Sequence, residues 1–331
     1  MRGMDRCQST VSRAGAAPAA APAIAVTSPG AAVNGTAAAP AAGGTAAPRA
    51  VSAKVPPQTW FVISAIFHYL GPSFAVLLFP AVGVLGVAWF RIASAAAVFA
   101  PITRPWRLFA RMDKHERHLL VGMGTCLALM NCCFYLALAR LPISLVAAIE
   151  FVGSIGLALY GMRSPRNRAA LGIAIAGVFI LIHVRWSADL AGLGFAFANG
   201  ALFVLYVVLG HRMARAGAGA GIERLGAAMA IAFVAVLPVG IVQAARAFAH
   251  PVLVLAGIGV GICSSVIPYV CDQLAMARLP RASFALMLTL LPASATIIGA
   301  IVLGQIPSPS EITGIALVMA AMALHRPAEA I

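Results

Sequence analysis

Charge is scarce in this chain. Of 331 residues only 10% are charged, and just nine are Asp or Glu against 23 Lys or Arg. Soluble domains carry about 25% charged residues, so there is too little polarity here to cover a water-facing surface. Clustered cysteines are missing as well. Cys7, Cys126, Cys132, Cys133, Cys263 and Cys271 form no CxxC pair, which argues against a disulfide framework or a zinc site; they read as small apolar packing residues. No Gly-x-x-x-x-Gly-Lys loop and no serine-nucleophile arrangement occurs. His115-Glu116-Arg117-His118 lacks the i, i+4 histidine spacing of a metalloprotease helix and reads as a solvated face. Nucleotide-driven chemistry would need another subunit, an enzyme is not expected, and no cofactor or metal is implied.

What the chain has instead is apolar length. It is 62% hydrophobic with a mean hydropathy of +0.96. Uncharged stretches near the ~20 residues that cross a hydrocarbon core recur along it, at about 60–80, 84–102, 119–139, 142–161, 168–184, 191–210, 224–245, 252–276, 281–303 and 309–325. Backbone groups in lipid must bond internally, so the expectation is an all-α membrane protein with ten transmembrane helices. The cations sit between the runs: 19 of the 23 fall on one side, three (Arg140, Arg185, Arg246) on the other, and Arg91 lies inside a span. That asymmetry predicts both termini in the cytoplasm and argues against nucleic acid as the partner of the +14 charge.

Residues 1–55 are rich in Ala, Pro and Gly, with prolines spaced to forbid a long helix, and read as a disordered cytoplasmic tail. Beyond it, ALARLP at Ala137–Pro142 recurs as AMARLP at Ala275–Pro280. Five spans separate the copies. An odd number inverts the second copy, so the chain divides into two inverted five-helix repeats, 56–186 and 187–326. Inverted repeats are an architecture of alternating-access carriers, with the site near the midplane at the repeat interface.

Four segments carry a resemblance: RIASAAAVFAPITRPWRL (Arg91–Leu108), NCCFYLALARLP (Asn131–Pro142), AAIEFVGSIGLALY (Ala147–Tyr160) and PYVCDQLAMARLP (Pro268–Pro280). In order and spacing they resemble the drug/metabolite transporter superfamily in its EamA-type ten-helix branch, and within it the threonine/homoserine exporter family. The resemblance runs from about Gln58 to Arg326. It implies a bacterial inner-membrane carrier that exports small metabolites, amino acids such as threonine or homoserine, with the proton gradient as its driving force. The chain departs from the family pattern at Ser154 (a proline there), at Leu291-Pro292 (Glu-Pro) and at Gln305 (an acid). Those departures keep other cargo open, such as aromatic amino acids, nucleosides or xenobiotics. A non-transporting scaffold is the reading from a different class.

The polar residues inside the spans are the site candidates. Glu150 is the only charge in VAAIEFVGSIGLALYG, about 12 Å into its span at 1.5 Å per residue. Arg91 lies at a similar depth, so the two could pair. One reading is a structural ion pair that orients two helices. The other gives Glu150 a proton or a substrate ammonium, and Arg91 the substrate carboxylate, because intramembrane charges default to function. Asp272, nearer the inner end of its span, could reach headgroups or Arg278. His68, Asn131, Tyr135 and Tyr269 are candidates to line a cavity, against the alternative of hydrogen-bonded helix glue. Trp60, Trp89 and Trp106 read as interfacial anchors. Expected partners are an amino acid-like small molecule, protons and the lipid bilayer, with a homodimer left open.

Overall fold

The computed structural model describes residues 56–161, 164–184, 189–215, 221–276, 287–288 and 290–324. The amino-terminal tail and most of the second hexapeptide copy lie outside the described residues. Every described element is helical: α1 (Pro57–Val82), α2 (Val84–Thr103), α3 (Pro105–Arg111), α4 (Lys114–Leu138), α5 (Ile143–Gly161), α6 (Pro165–Val184), α7 (Leu190–Arg215), α8 (Gly221–Ala244), α9 (Pro251–Gly261), α10 (Ile267–Met276), α11 (Leu291–Leu303) and α12 (Pro309–Leu324). A 3-10 turn at Ala245–Ala249 follows α8, and a π-helical turn at Ile262–Val266 joins α9 to α10 in one continuous run. Six described helical runs are long and apolar enough to cross a membrane: α1, α2, α4, α7, α8 with its 3-10 turn, and α9–α10. Shorter apolar helices occur at Ile143–Gly153, α11 and α12.

Local chemistry explains where several helices begin, and it corrects the sequence reading in places. Asp113 caps α4 by accepting from Glu116 N–H at 2.7 Å, and the Glu116 carboxylate accepts from Asp113 N–H at 3.1 Å. This capping box is worth about 1 kcal/mol. It starts the helix five residues before the apolar run and makes His115–His118 its first turn. Ser308 and Glu311 start α12 with the same device. Helix α3 was not expected. It follows Arg104, whose φ of +47° ends α2 in a left-handed turn, and its Trp106 is 60% exposed, in keeping with an interfacial anchor. Trp89 does not act as a simple anchor. It packs among Phe90, Phe233 and Phe248, with ring centroids 5.2–6.1 Å apart.

The tertiary packing exchanges partners between the early and late helices. α4 packs on α7, and α9–α10 packs on α1; α5 packs on α7, and α11 packs on α1. α4 meets α8, and α9 meets α2; α2 and α8 pack on each other, as do α5 and α11, and α6 and α12. Large apolar side chains such as Val234, Val242, Val252, Leu255 and Ile301 are left exposed on the outside, a surface that suits lipid and would aggregate in water.

Small residues set the tightest crossings. A Cβ on Gly177 would come 2.7 Å from the Gly314 carbonyl oxygen, and one on Gly314 would come 2.9 Å from that of Gly177, so α6 and α12 touch backbone to backbone. Gly314→Leu is therefore expected to force the pair apart at a cost of about 1–3 kcal/mol. A fall in thermal midpoint in detergent checks this, with Gly172→Ala, where a Cβ meets nothing within 4 Å, as the unaffected control.

At the end of the bundle where α4 and α5 meet, Arg140 ion-pairs with Asp189, which precedes α7. The guanidinium, helped by the Ala191 N–H, holds the Asp189 carboxyl below its ordinary value of 3.8. A depressed carboxyl stabilises the fold above the unfolded value, and that contribution disappears as pH falls through the lower folded value. Both side chains are about 40% exposed, so the effect is small.

Candidate functional site: a buried polar cluster

Glu150 sits in the third turn of α5, 2% exposed, among the apolar side chains Val146, Ala147, Ile149 and Phe151. The helix facing it is α7. The two helices pack at ordinary van der Waals distance there: a Cβ on Gly200 would lie 3.6 Å from the Ile149 carbonyl oxygen and 3.8 Å from the Glu150 Cα. The preceding residue, Asn199, turns its amide toward the Glu150 carboxylate. Asn199 is 1% exposed, and neither of its amide atoms makes a hydrogen bond within strict geometric limits.

Arg91 comes from α2 and is also buried. It does not reach ion-pair contact with Glu150; among the described residues the ion pair found is Arg140–Asp189. Instead its Nε donates to the Ser265 hydroxyl at 3.0 Å and its Nη2 to the Ser264 carbonyl at 3.3 Å. Both acceptors belong to the π-helical turn, whose wider winding re-aims groups that an α-helix would turn elsewhere. The guanidinium carbon stands 5.8 Å from the Phe134 ring centroid and 5.5 Å from that of Tyr135, a cation–π seat on α4. Two of its N–H donors are thus engaged by described residues. Glu150 remains within electrostatic reach.

The other candidates fall around this pair. His68 on α1 lies within electrostatic reach of Arg91 and meets Tyr69 edge-on at 5.1 Å. Tyr269 on α10 feels Arg91, Asp272 and Glu150. Tyr135 presents a buried hydroxyl with no hydrogen-bond partner. Asp272 is 3% exposed, enclosed by the surrounding helices. Its carboxylate is matched by the Ser64 hydroxyl, which is also 3.4 Å from the Pro268 carbonyl oxygen. Arg278, its other expected neighbour, lies outside the described residues. Asn131 behaves differently: its Nδ2 donates to the Leu127 carbonyl at 2.8 Å, within its own helix. Gln305, which stands at a position where the family pattern has an acid, accepts from Ile143 N–H at 3.2 Å and ties the end of α11 to the start of α5.

Sequence reasoning missed Asn199, Ser264 and Ser265. Asn199 could have been found as an amide in the apolar run FAFANGALFVLYVVLG. The two serines carried no signal, since serine is common in spans and the π-helical turn that aims them is not written in periodicity.

A carboxylate, a guanidinium and an amide enclosed by apolar helices suit a multi-pass membrane transport protein for small polar molecules. No family model matches the chain. Over 254 residues it is 32% identical to the threonine/homoserine exporter RhtA of Escherichia coli (strain K12), covering 76% of this chain and 84% of that protein. The exporter of the same name in Salmonella typhimurium (strain LT2) matches at the same identity and coverage. A solved crystal structure of a protein 17% identical superimposes with a TM-score of 0.51, covering 81% of this chain and 96% of the other, and shows a shared fold. The chain belongs to the RhtA-like family of drug/metabolite transporters. It is a small-metabolite exporter and not an enzyme.

Proposed function

We propose that this exporter carries threonine- or homoserine-like amino acids outward across the bacterial inner membrane in exchange for protons. The observation that carries the reading is the placement of Glu150 and Arg91, buried and near each other but not paired. A carboxylate suits a substrate ammonium or a proton, and a guanidinium suits a substrate carboxylate. Tyr269, Tyr135, His68 and Asp272 complete the polar lining, and Asn131 contributes at most through its helix.

Alternation is read from the two halves, 56–186 and 187–326, as inverted repeats with both termini in the cytoplasm. The exchange of packing partners supports this: shifting each span by five converts α4–α7 into α10–α1 and α5–α7 into α11–α1. Substrate enters from the cytoplasm between the halves, and protonation of Glu150 from outside resets the carrier. Export of a less polar cargo is the second reading, favoured by Leu291, apolar and buried where the family pattern has an acid.

The test is transport by the purified full-length protein in proteoliposomes with a substrate panel and an imposed pH gradient. Threonine and homoserine are expected to be carried and to compete with each other, and flux is expected to rise with the gradient. Transport of neither amino acid, or indifference to the gradient, sinks the substrate or the coupling reading respectively.

A further inference from the structure

We propose that Ser265 is a positioning residue: it holds the Arg91 guanidinium off the Glu150 carboxylate, so that both charges stay open to the two ends of one zwitterionic substrate. The inference rests on the export reading above and adds to it the residue that keeps its two binding charges apart.

Opposite charges in an apolar enclosure attract strongly, because little water screens them. Arg91 and Glu150 are both buried and within electrostatic reach of each other, yet they form no ion pair. Contacts on the arginine side must offset the attraction. Nε donates to the Ser265 hydroxyl at 3.0 Å, Nη2 to the Ser264 carbonyl at 3.3 Å, and the guanidinium lies over the Phe134 and Tyr135 rings. The carbonyl is present whatever the side chain, and aromatic faces impose less direction than a hydrogen bond. The two serines are used differently. The Ser264 hydroxyl is tied to the Val260 carbonyl, 2.6 Å away in its own helical run. The Ser265 hydroxyl is therefore the directional side-chain contact on Arg91 that a substitution can remove.

That hydroxyl stands on a stiff support. A Cβ on Gly71 of α1 would lie 2.6 Å from the Ser264 backbone nitrogen, and one on Gly261 would lie 2.5 Å from the Ser94 Cβ of α2. The π-helical turn is wedged between α1 and α2 and cannot slide without parting them. The long arginine side chain is the part that can move. Without the hydroxyl it exchanges a neutral acceptor for the Glu150 carboxylate, a stronger partner. A closed pair occupies both binding charges, and a substrate must open it before entering. Affinity then falls while the fold loses nothing.

The experiment measures threonine transport by the full-length protein in proteoliposomes, together with its thermal midpoint in detergent. Ser265→Ala is expected to raise the threonine KM by about tenfold and to leave the maximal rate within about threefold, as loss of a bond that orders the binding group should. Its thermal midpoint is expected to be no lower than wild-type. Ser265→Thr keeps the hydroxyl and is expected to hold KM within about threefold of wild-type, whereas the similarly shaped Ser265→Val is expected to behave like Ser265→Ala. Placed in an Arg91→Ala background, Ser265→Ala is expected to change threonine affinity by less than about twofold, because it acts through Arg91. An unchanged KM in Ser265→Ala overturns the proposal. So does a lowered midpoint or failure to reach the membrane, which would make the hydroxyl a structural bond. An equal effect with and without Arg91 overturns it as well. Wild-type carrying neither threonine nor homoserine refutes the amino acid reading, and the proposal with it.

Discussion

Glu150→Gln is expected to reduce proton-driven export by about a hundredfold, which corresponds to about 2.7 kcal/mol of barrier, while the protein reaches the membrane in wild-type amount. The two halves of that expectation come from different physics. Abundance should hold because a neutral amide of the same shape is cheaper to bury than a carboxylate, and no ion pair is broken: Arg91 is held by Ser265 and Ser264 whether or not Glu150 is charged. Flux should fall because the amide can neither take a proton from outside nor hold an ammonium. Residual flux in the variant is expected to ignore the pH gradient that drives wild-type. A variant that inserts normally and exports at the wild-type rate would make Glu150 a packing residue, and the transport role would have to move elsewhere.

The second large effect is expected at Gly71. A Cβ there would lie 2.6 Å from the Ser264 backbone nitrogen and 2.7 Å from its Cα, atoms that no rotamer change can move aside. Gly71→Leu must therefore part α1 from the π-helical turn. Overpacking of this kind costs about 1–3 kcal/mol, and withdrawing the acceptors of a buried guanidinium adds about 1.5–3 kcal/mol. Against a total stability of about 5–15 kcal/mol, most of the protein should fail to accumulate in folded form. Size-exclusion profiles after graded heating measure this, with Gly194→Ala, where a Cβ meets nothing within 4 Å, as the neutral comparison. A wild-type profile for Gly71→Leu would mean that α1 can stand off from the turn and that the Arg91 seat does not depend on it.

Both predictions show which parts of the molecule were legible in the sequence. The all-helical character was, because lipid-length apolar runs have few alternatives, and six of the ten expected spans appear as full-length apolar helices among the described residues. Glu150 and Arg91 were, because a lone charge in such a run stands out. The relation between them was not: similar depth suggested a pair, whereas the structure spends Arg91 on Ser265, on a backbone carbonyl and on two aromatic faces. A main-chain acceptor exposed by a π-helical turn has no residue signature. Asp272 was found without its partner, since counting residues from a span end cannot foresee the Ser64 hydroxyl on another helix. Helix α3 and the first turn of α4 were missed because their apolar content is low; a proline and a capping box start them instead.

The exchange of packing partners has a consequence for how such a chain can be assembled. Glu150 is carried by α5 and Asn199 by α7, and α1 finds its tightest neighbours only after α10 and α11 have been made. A ribosome that had finished α6 would have released a set of hairpins with their mating faces still bare. Two separately expressed fragments, cut between α6 and α7, would each hold one jaw of the vice, and only their meeting in a shared bilayer would close it.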